Sequence, residues 1–334
     1  MTRLLVIELM FLVVVNRYQT TALNISRRQI AHCAIDPVVA TAFIFGGTKI
    51  SIAADDTTAS FSSLSSSLQP SSSSSIGARF ESDILTIPPI TAGTTNSGHD
   101  NLYFPPWMEG AWDVTQTLIS TKTPIGIKFV GGPNGSMDIA TKTIAEQTNH
   151  VNEKVKLKLR FVNTRFGVAE DRVYNWRSRL DAFAGKSVVA SVSYANVRES
   201  NRASVLAAGG SELDPLTTTM VYFKGPAAQK TFVISHGQDP IDNNNNNNSS
   251  NNIWSGYELD RSIFALTNLD SAPPITTDAE ILYQFKRIDE NRVEGRLRLA
   301  EYLNPQSDQL YFEARNRAVS INDYTLSLTR IITT

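Results

Sequence analysis

Two clusters in this chain bring acids and bases close enough in sequence to do chemistry. One is Glu170-Asp171-Arg172; the other is Glu258, Asp260 and Arg261. A carboxylate beside a guanidinium can orient a polar ligand, and a carboxylate shielded from water can act as an acid or base. Each cluster also has a structural account. Asp171 suits a helix cap, and Glu258 with Arg261 suits an ion pair on a strand. The functional reading sets Arg172, Glu258 and Arg261 at the mouth of the fold, facing a ligand's polar group. A third group is aromatic: Tyr103, Phe104, Trp107 and Trp112. Core packing explains it; the alternative puts Tyr103, Phe104 and Trp107 on an open rim, against an apolar ligand or a membrane protein.

Other chemistries find no support in residue spacing. His99, His150 and His236 share no His-x-His or His-x-x-x-His spacing, so a metal would need carboxylates from elsewhere. Gly-x-Ser-x-Gly is missing. Gly131-Gly132-Pro133-Asn134-Gly135 lacks the Lys-Ser/Thr of a phosphate loop and reads as a turn. Cys33 is the only cysteine, and it falls in a segment that reads as leader. A mature chain without it has no disulfide, thiolate nucleophile or zinc–thiolate site. No catalytic residue, metal ligand or cofactor is assigned, and the expectation is a non-enzymatic binding protein.

The elements that must position these residues alternate with period two. In Lys154-Val155-Lys156-Leu157-Lys158-Leu159-Arg160-Phe161, charges face one side and apolar groups the other. Similar runs occur at 112–119, 187–195, 202–207, 218–223, 231–235, 255–260, 280–286, 296–299 and 324–331. One stretch reads as a helix: Asp171 caps it, Val173, Trp176, Leu180 and Phe183 recur at helical spacing, and Gly185 stops it. On that helix Arg172, Arg177, Arg179 and Asp181 are expected to face water. Residues 262–266 read as a possible helical turn. The fold class is therefore all-β with one or two short helices. Antiparallel strands of this kind close as a barrel or pair as a sandwich, and pattern alone does not choose.

Charge and low complexity bound the rest. Six basic and six acidic residues fall in the first 97, so of 31 Lys+Arg and 32 Asp+Glu the body keeps 25 and 26. A body of net charge near −1 lacks the footprint of a nucleic-acid binder. Residues 55–98 are rich in Ser and Thr and read as a disordered linker, and residues 242–252 as an Asn-rich loop within a body of 99–334.

The front end reads as two export signals. Residues 1–22 have Arg3, an apolar centre and a small-residue exit at Ala22, as a secretory signal does. Residues 23–54 hold Arg27-Arg28, a mildly apolar stretch and Ala53-Ala54, as a twin-arginine signal does. This order resembles the leaders of thylakoid-lumen proteins in algae whose plastids lie inside the secretory system. The resemblance implies a plastid, lumenal address, with ordinary secretion as the alternative.

Two further resemblances concern the body. Gly110-Ala111-Trp112, at the head of the first long strand, resembles the Gly-x-Trp signature of calycins and lipocalins. That resemblance implies an up-and-down barrel closed at one end by Trp112, with Arg330 of the last strand over it. Residues 102–114, with Tyr103, Pro105, Trp107, Gly110, Trp112 and Val114, also resemble the opening of an uncharacterised domain family of oxygenic phototrophs. Arg165-Phe166, Glu170-Asp171-Arg172 and the run from Tyr257 to Phe264 match its later blocks. This family carries no known activity. Together they imply a barrel that binds a small apolar ligand, a pigment or lipid. The alternatives are an accessory or assembly protein of a photosynthetic membrane complex, and a lipocalin-type enzyme acting on a pigment.

Overall fold

The computed structural model describes residues 76–89, 101–164, 166–195, 217–239, 252–268 and 274–332. Arg27, Arg28, Ala22 and Ala54, the serine tract, the strand read at 202–207 and most of the Asn-rich run lie outside the described residues. The strands are β1 (Tyr103–Phe104), β2 (Gly110–Lys122), β3 (Lys154–Thr164), β4 (Gly167–Glu170), β5 (Val189–Tyr194), β6 (Thr218–Phe223), β7 (Ala227–Gln238), β8 (Ile253–Leu266), β9 (Ile275–Arg287), β10 (Arg292–Tyr302) and β11 (Ser320–Arg330). The helices are α1 (Ile76–Glu81), α2 (Met137–Asn149), α3 (Arg172–Ala184) and α4 (Tyr311–Ala314).

All these strands form one antiparallel sheet in the order β1-β4-β3-β2-β11-β10-β9-β8-β7-β6-β5. The sheet curls like part of a barrel but ends at β1 and β5, which no backbone ladder joins among the described residues. The expected all-β, antiparallel class holds; the described strands form a curled half-barrel, and the expected closure is not made among them. Helix α3 explains how the curl ends. β4 pairs with β3 only from Phe161 to Thr164, leaving the upstream edge of β3 open. Asn175 of α3 replaces a strand there: its Oδ1 accepts from Arg160 N at 2.7 Å and its Nδ2 donates to Arg160 O at 3.1 Å. Ser178 Oγ accepts from Lys158 N at 2.8 Å. α3 then packs on β5 and β6, at the other end of the sheet.

α3 begins and ends where the sequence predicts. Asp171 accepts from Tyr174 N at 3.1 Å, and Gly185 stops the helix at φ 62°, a left-handed conformation that glycine adopts without steric cost. Its faces differ from expectation, because Arg172 and Asn175 are buried. Among the described residues there are three more α-helices than the one the periodicity shows. α2 starts at Ser136, whose Oγ accepts from Ile139 N, but its few apolar residues give it little helical signature. Residues 262–266 continue β8 as strand, held in register against β7 and β9.

Alternation along each strand produces two apolar faces. The inner face packs Trp112, Val114, Leu157, Leu159 and Phe161 against Trp254, Tyr283, Phe285, Leu326 and Leu328. The outer face of β7 to β11 carries Phe232, Ile234, Leu259, Leu282, Tyr302 and Ile321. That outer face is covered by residues 76–89, a strap inside the stretch that reads as linker. Ile76, Phe80 and Leu85 are buried there, each contributing about 1.5–3 kcal/mol. Ala318 N donates to Leu85 O at 2.8 Å, and Arg79 pairs with Glu280. Composition hides this strap because only a few apolar residues, set among polar ones, carry it.

Candidate functional site

The chain before β2 and the β3–β4 hairpin together build a cleft of ≈ 280 Å³ at one end of the curl. Tyr103, Phe104, Pro105 and Pro106 form one side, Asn163, Phe166, Gly167 and Val168 the other, and Glu109, Gln238 and Trp254 complete it. Gly167 has φ 145°, and a Cβ there would stand 3.2 Å from Tyr103 Cδ1. Glycine therefore lets the hairpin turn and lets Tyr103 lie against it. Phe104 is buried, with its ring centroid 4.8 Å from that of Phe161 and 4.7 Å from that of Trp254. Behind the cleft the inner face is filled by these rings. Trp254 lines the cleft and has a buried Nε1 with no acceptor among the described residues.

Of the predicted rim residues, Tyr103 and Phe104 both line the cleft, and Phe104 also belongs to the core. Trp107 packs against the inner core and does not line the cleft. Its carbonyl accepts from Arg330 Nη2 at 2.8 Å. The Arg330 guanidinium lies 4.3 Å from the centre of the Trp112 ring, a cation–π geometry. Trp112 is fully buried and donates from Nε1 to Met108 O at 2.9 Å. Gly110 sits at φ 119°, where a Cβ would meet Arg330 Nη1 at 2.7 Å. Gly110, Trp112 and Arg330 therefore form one packed unit beside the cleft.

The predicted charged trio splits between the two faces of β8. Arg172 reaches Glu258 with both terminal nitrogens, at 3.1 Å and 2.5 Å, and also donates to Asn101 Oδ1 at 2.9 Å. Arg261, an odd number of residues along the strand, points to the other face. It donates to Asp278 at 2.7 Å and 2.9 Å. Arg172, Glu258 and Arg261 thus do not line a common mouth. Sequence spacing suggests convergence, but the period-two geometry of a strand forbids it for Glu258 and Arg261.

Around Arg172 and Glu258 stands a buried network that local sequence does not reveal. Arg179 Nη1 lies 2.6 Å from Glu170 Oε1, and Asn175 Nδ2 donates to the same oxygen at 2.9 Å. Burial opposes ionisation of Glu170, but Arg179 and Arg172 overcome it and lower its pKa. Asp260 faces the opposite balance. Burial, then the Glu258 charge, push it up to about 8. Its Oδ1 and Arg172 Nε are both buried without a partner among the described residues. Arg179, expected to face water, instead turns inward to pair with Glu170; Asn175 and Arg179 follow Asp171 at i+4 and i+8, a spacing that puts both on the face towards the sheet.

Strand geometry separates this network from the cleft. Trp254 and Asp260 are six residues apart on one face of β8, or about 20 Å at ~3.4 Å per residue. Glu258 also has both oxygens taken by Arg172. The cleft itself carries one carboxylate, Glu109, and no histidine. Among the described residues no three His, Cys, Asp or Glu side chains converge on a metal site, and no helix is long and apolar enough to cross a membrane. The cleft can therefore hold an apolar ring between aromatic and proline walls and offer amide and carboxylate groups at its edge.

No curated protein and no solved structure matches the chain. A family model does match, over residues 96–332, which takes in β1 to β11 and the whole cleft but not the strap. The chain belongs to DUF6816, a family defined by a domain of unknown function.

Proposed function

We propose that this protein acts by binding, and that the cleft between Tyr103, Pro105, Phe166 and Trp254 takes the apolar ring or chain end of a small ligand, a pigment or lipid. The observation that carries this reading is the cleft's construction. Its walls are aromatic and proline, and Glu109, Asn163 and Gln238 bring polar groups to it. Ligand pockets combine apolar walls with a few placed polar groups in this way. The volume of ≈ 280 Å³ suits one ring system or chain end, with the remainder of the ligand outside. A second reading is an accessory protein that receives a partner's apolar side chain. It is favoured by the inner face, where Phe104, Phe161, Trp254, Tyr283 and Phe285 pack together.

Fluorescence titration of the full chain tests the first reading. Retinol, oleate and protoporphyrin IX serve as probes of isoprenoid, acyl and tetrapyrrole chemistry. Saturable quenching is expected for at least one, and it should diminish in Trp254→Phe. Removing a ring in Phe166→Ser should weaken binding by about 10-fold, since a partly buried side chain contributes roughly 1.5 kcal/mol. Absence of saturable binding by all three probes, or equal affinity in Phe166→Ser, would sink the small-ligand reading and leave the partner reading.

A further inference from the structure

Alternation along β3 does more than bury Leu157, Leu159 and Phe161. It sets Lys154, Lys156, Lys158 and Arg160 in one exposed row. Alternate residues on a strand stand about 6.8 Å apart, so the row spans about 20 Å. That spacing is within the ~8 Å Debye length of physiological salt, so the charges act together on an approaching surface. Lys154 and Lys156 make no ion pair among the described residues. Lys158 Nζ stands 4.0 Å from Asp113, and Arg160 is held by Asp171 and stacked over Tyr174.

The neighbouring columns on this face are hydroxyl-bearing. Thr117 and Thr115 of β2 lie opposite Lys154 and Lys156, and Thr325 and Ser327 of β11 lie beyond them. The row ends in apolar side chains: Val162, on the same face of β3, is 37% exposed, and Phe166 at the hairpin is 42% exposed. A nearly neutral body gives no long-range attraction for a nucleic acid. A local row of cations with hydroxyl donors alongside and apolar groups at one end matches a lipid interface instead. There, anionic headgroups meet the cations and the apolar groups enter the boundary.

We propose that the outer face of β3, through Lys154, Lys156 and Lys158, docks the protein onto an anionic lipid bilayer. The contact is peripheral and electrostatic, and it leaves the opening of the cleft beside Phe166 close to the lipid surface.

Cosedimentation of the full chain with vesicles tests this. Phosphatidylcholine vesicles are compared with vesicles of phosphatidylcholine and phosphatidylglycerol in equal parts, over a range of salt. Binding is expected only to the anionic vesicles and should fall as salt rises. The triple variant Lys154→Gln, Lys156→Gln, Lys158→Gln should bind about 100-fold more weakly, from roughly one decade or somewhat less per cation removed. The triple Lys→Arg variant should bind as the parent does. These side chains are exposed, so an unchanged circular dichroism spectrum and melting temperature verify that the fold is kept. Equal binding to neutral vesicles, no binding to anionic vesicles at low salt, or an unaffected Gln variant would each overturn the proposal. So would retention on an acidic protein or polyanion column without any vesicle binding.

Discussion

Removing the Arg79 charge should loosen the strap by an amount that the geometry fixes. Arg79 Nη2 lies 2.6 Å and Nε 3.0 Å from the two oxygens of Glu280, whose side chain is fully buried. Tyr302 donates to Glu280 Oε2 at 2.6 Å. Arg79→Met keeps the stem against the sheet but leaves Glu280 with one donor. Breaking a buried pair from one side costs about 3–5 kcal/mol. Arg79 retains 17% exposure, so water reaches the vacated place and the lower end, about 3 kcal/mol, applies. The cost cannot exceed the free energy that docks residues 76–89, because beyond that the strap detaches. Urea unfolding followed by circular dichroism measures the loss, and limited proteolysis within residues 76–89 reports detachment. Glu280→Gln in the same chain removes the stranded charge and should recover about half of the loss. A loss below ~1 kcal/mol in Arg79→Met, or no recovery in the double variant, would refute the view that this ion pair holds the strap.

Asp260 gives a pH signature. Its pKa rises from about 3.9 unfolded to about 8 folded, so the folded state keeps a proton that the unfolded state releases. Its stabilising contribution is present below the unfolded pKa and is lost as pH rises through about 8. Stability should fall between pH 5 and 8 with a slope of up to ~1.4 kcal/mol per unit, and Asp260→Asn should flatten it in urea titrations. Glu170, with its lowered pKa, acts only at more acidic pH and leaves that window clear; an unchanged slope in the variant would count against the buried-proton account. Asn175→Ala strips the partner from Arg160 N, while Glu170 keeps Arg179, and should cost about 1–3 kcal/mol for the one orphaned group. Faster amide hydrogen exchange at Arg160 would mark the opened edge of β3, and unaltered exchange would show that the helix seals it by other means.

Much of the fold was legible because strands with one wet and one dry face must alternate. Lys154 to Phe161 and Thr218 to Phe223 read as strands from composition alone. Asp171 and Gly185 bounded α3 because capping and left-handed backbone have distinct residue preferences. β1 and β4 were not legible: two or four residues are too few to show a period, and their pairing is long-range in origin. α2 escaped because a mostly polar helix on the surface has little apolar stripe. Around the cleft, Tyr103 was found from its aromatic neighbourhood. Trp254 was missed because it lies some 150 residues away along the chain and only the curl of the sheet brings it beside Phe104.

The sequence by itself determined the antiparallel β class, the ends of α3, the Trp112–Arg330 pairing candidates and the lack of thiol chemistry in the body. The Trp112–Arg330 candidates follow from the resemblance to the Gly-x-Trp signature, and the others from local periodicity, residue-specific backbone preferences and simple counting. Only the tertiary structure decided that the described strands form an open, curled sheet, that α3 seals it through Asn175, and that a strap covers its outer face. It alone separated Arg261 from Arg172 and Glu258, and gathered Tyr103, Phe166 and Trp254 around one cleft. The physical reason is that closure, strand-face assignment in space and charge pairing depend on contacts between distant segments. Their energies arise from burial and desolvation, which no stretch of sequence carries on its own.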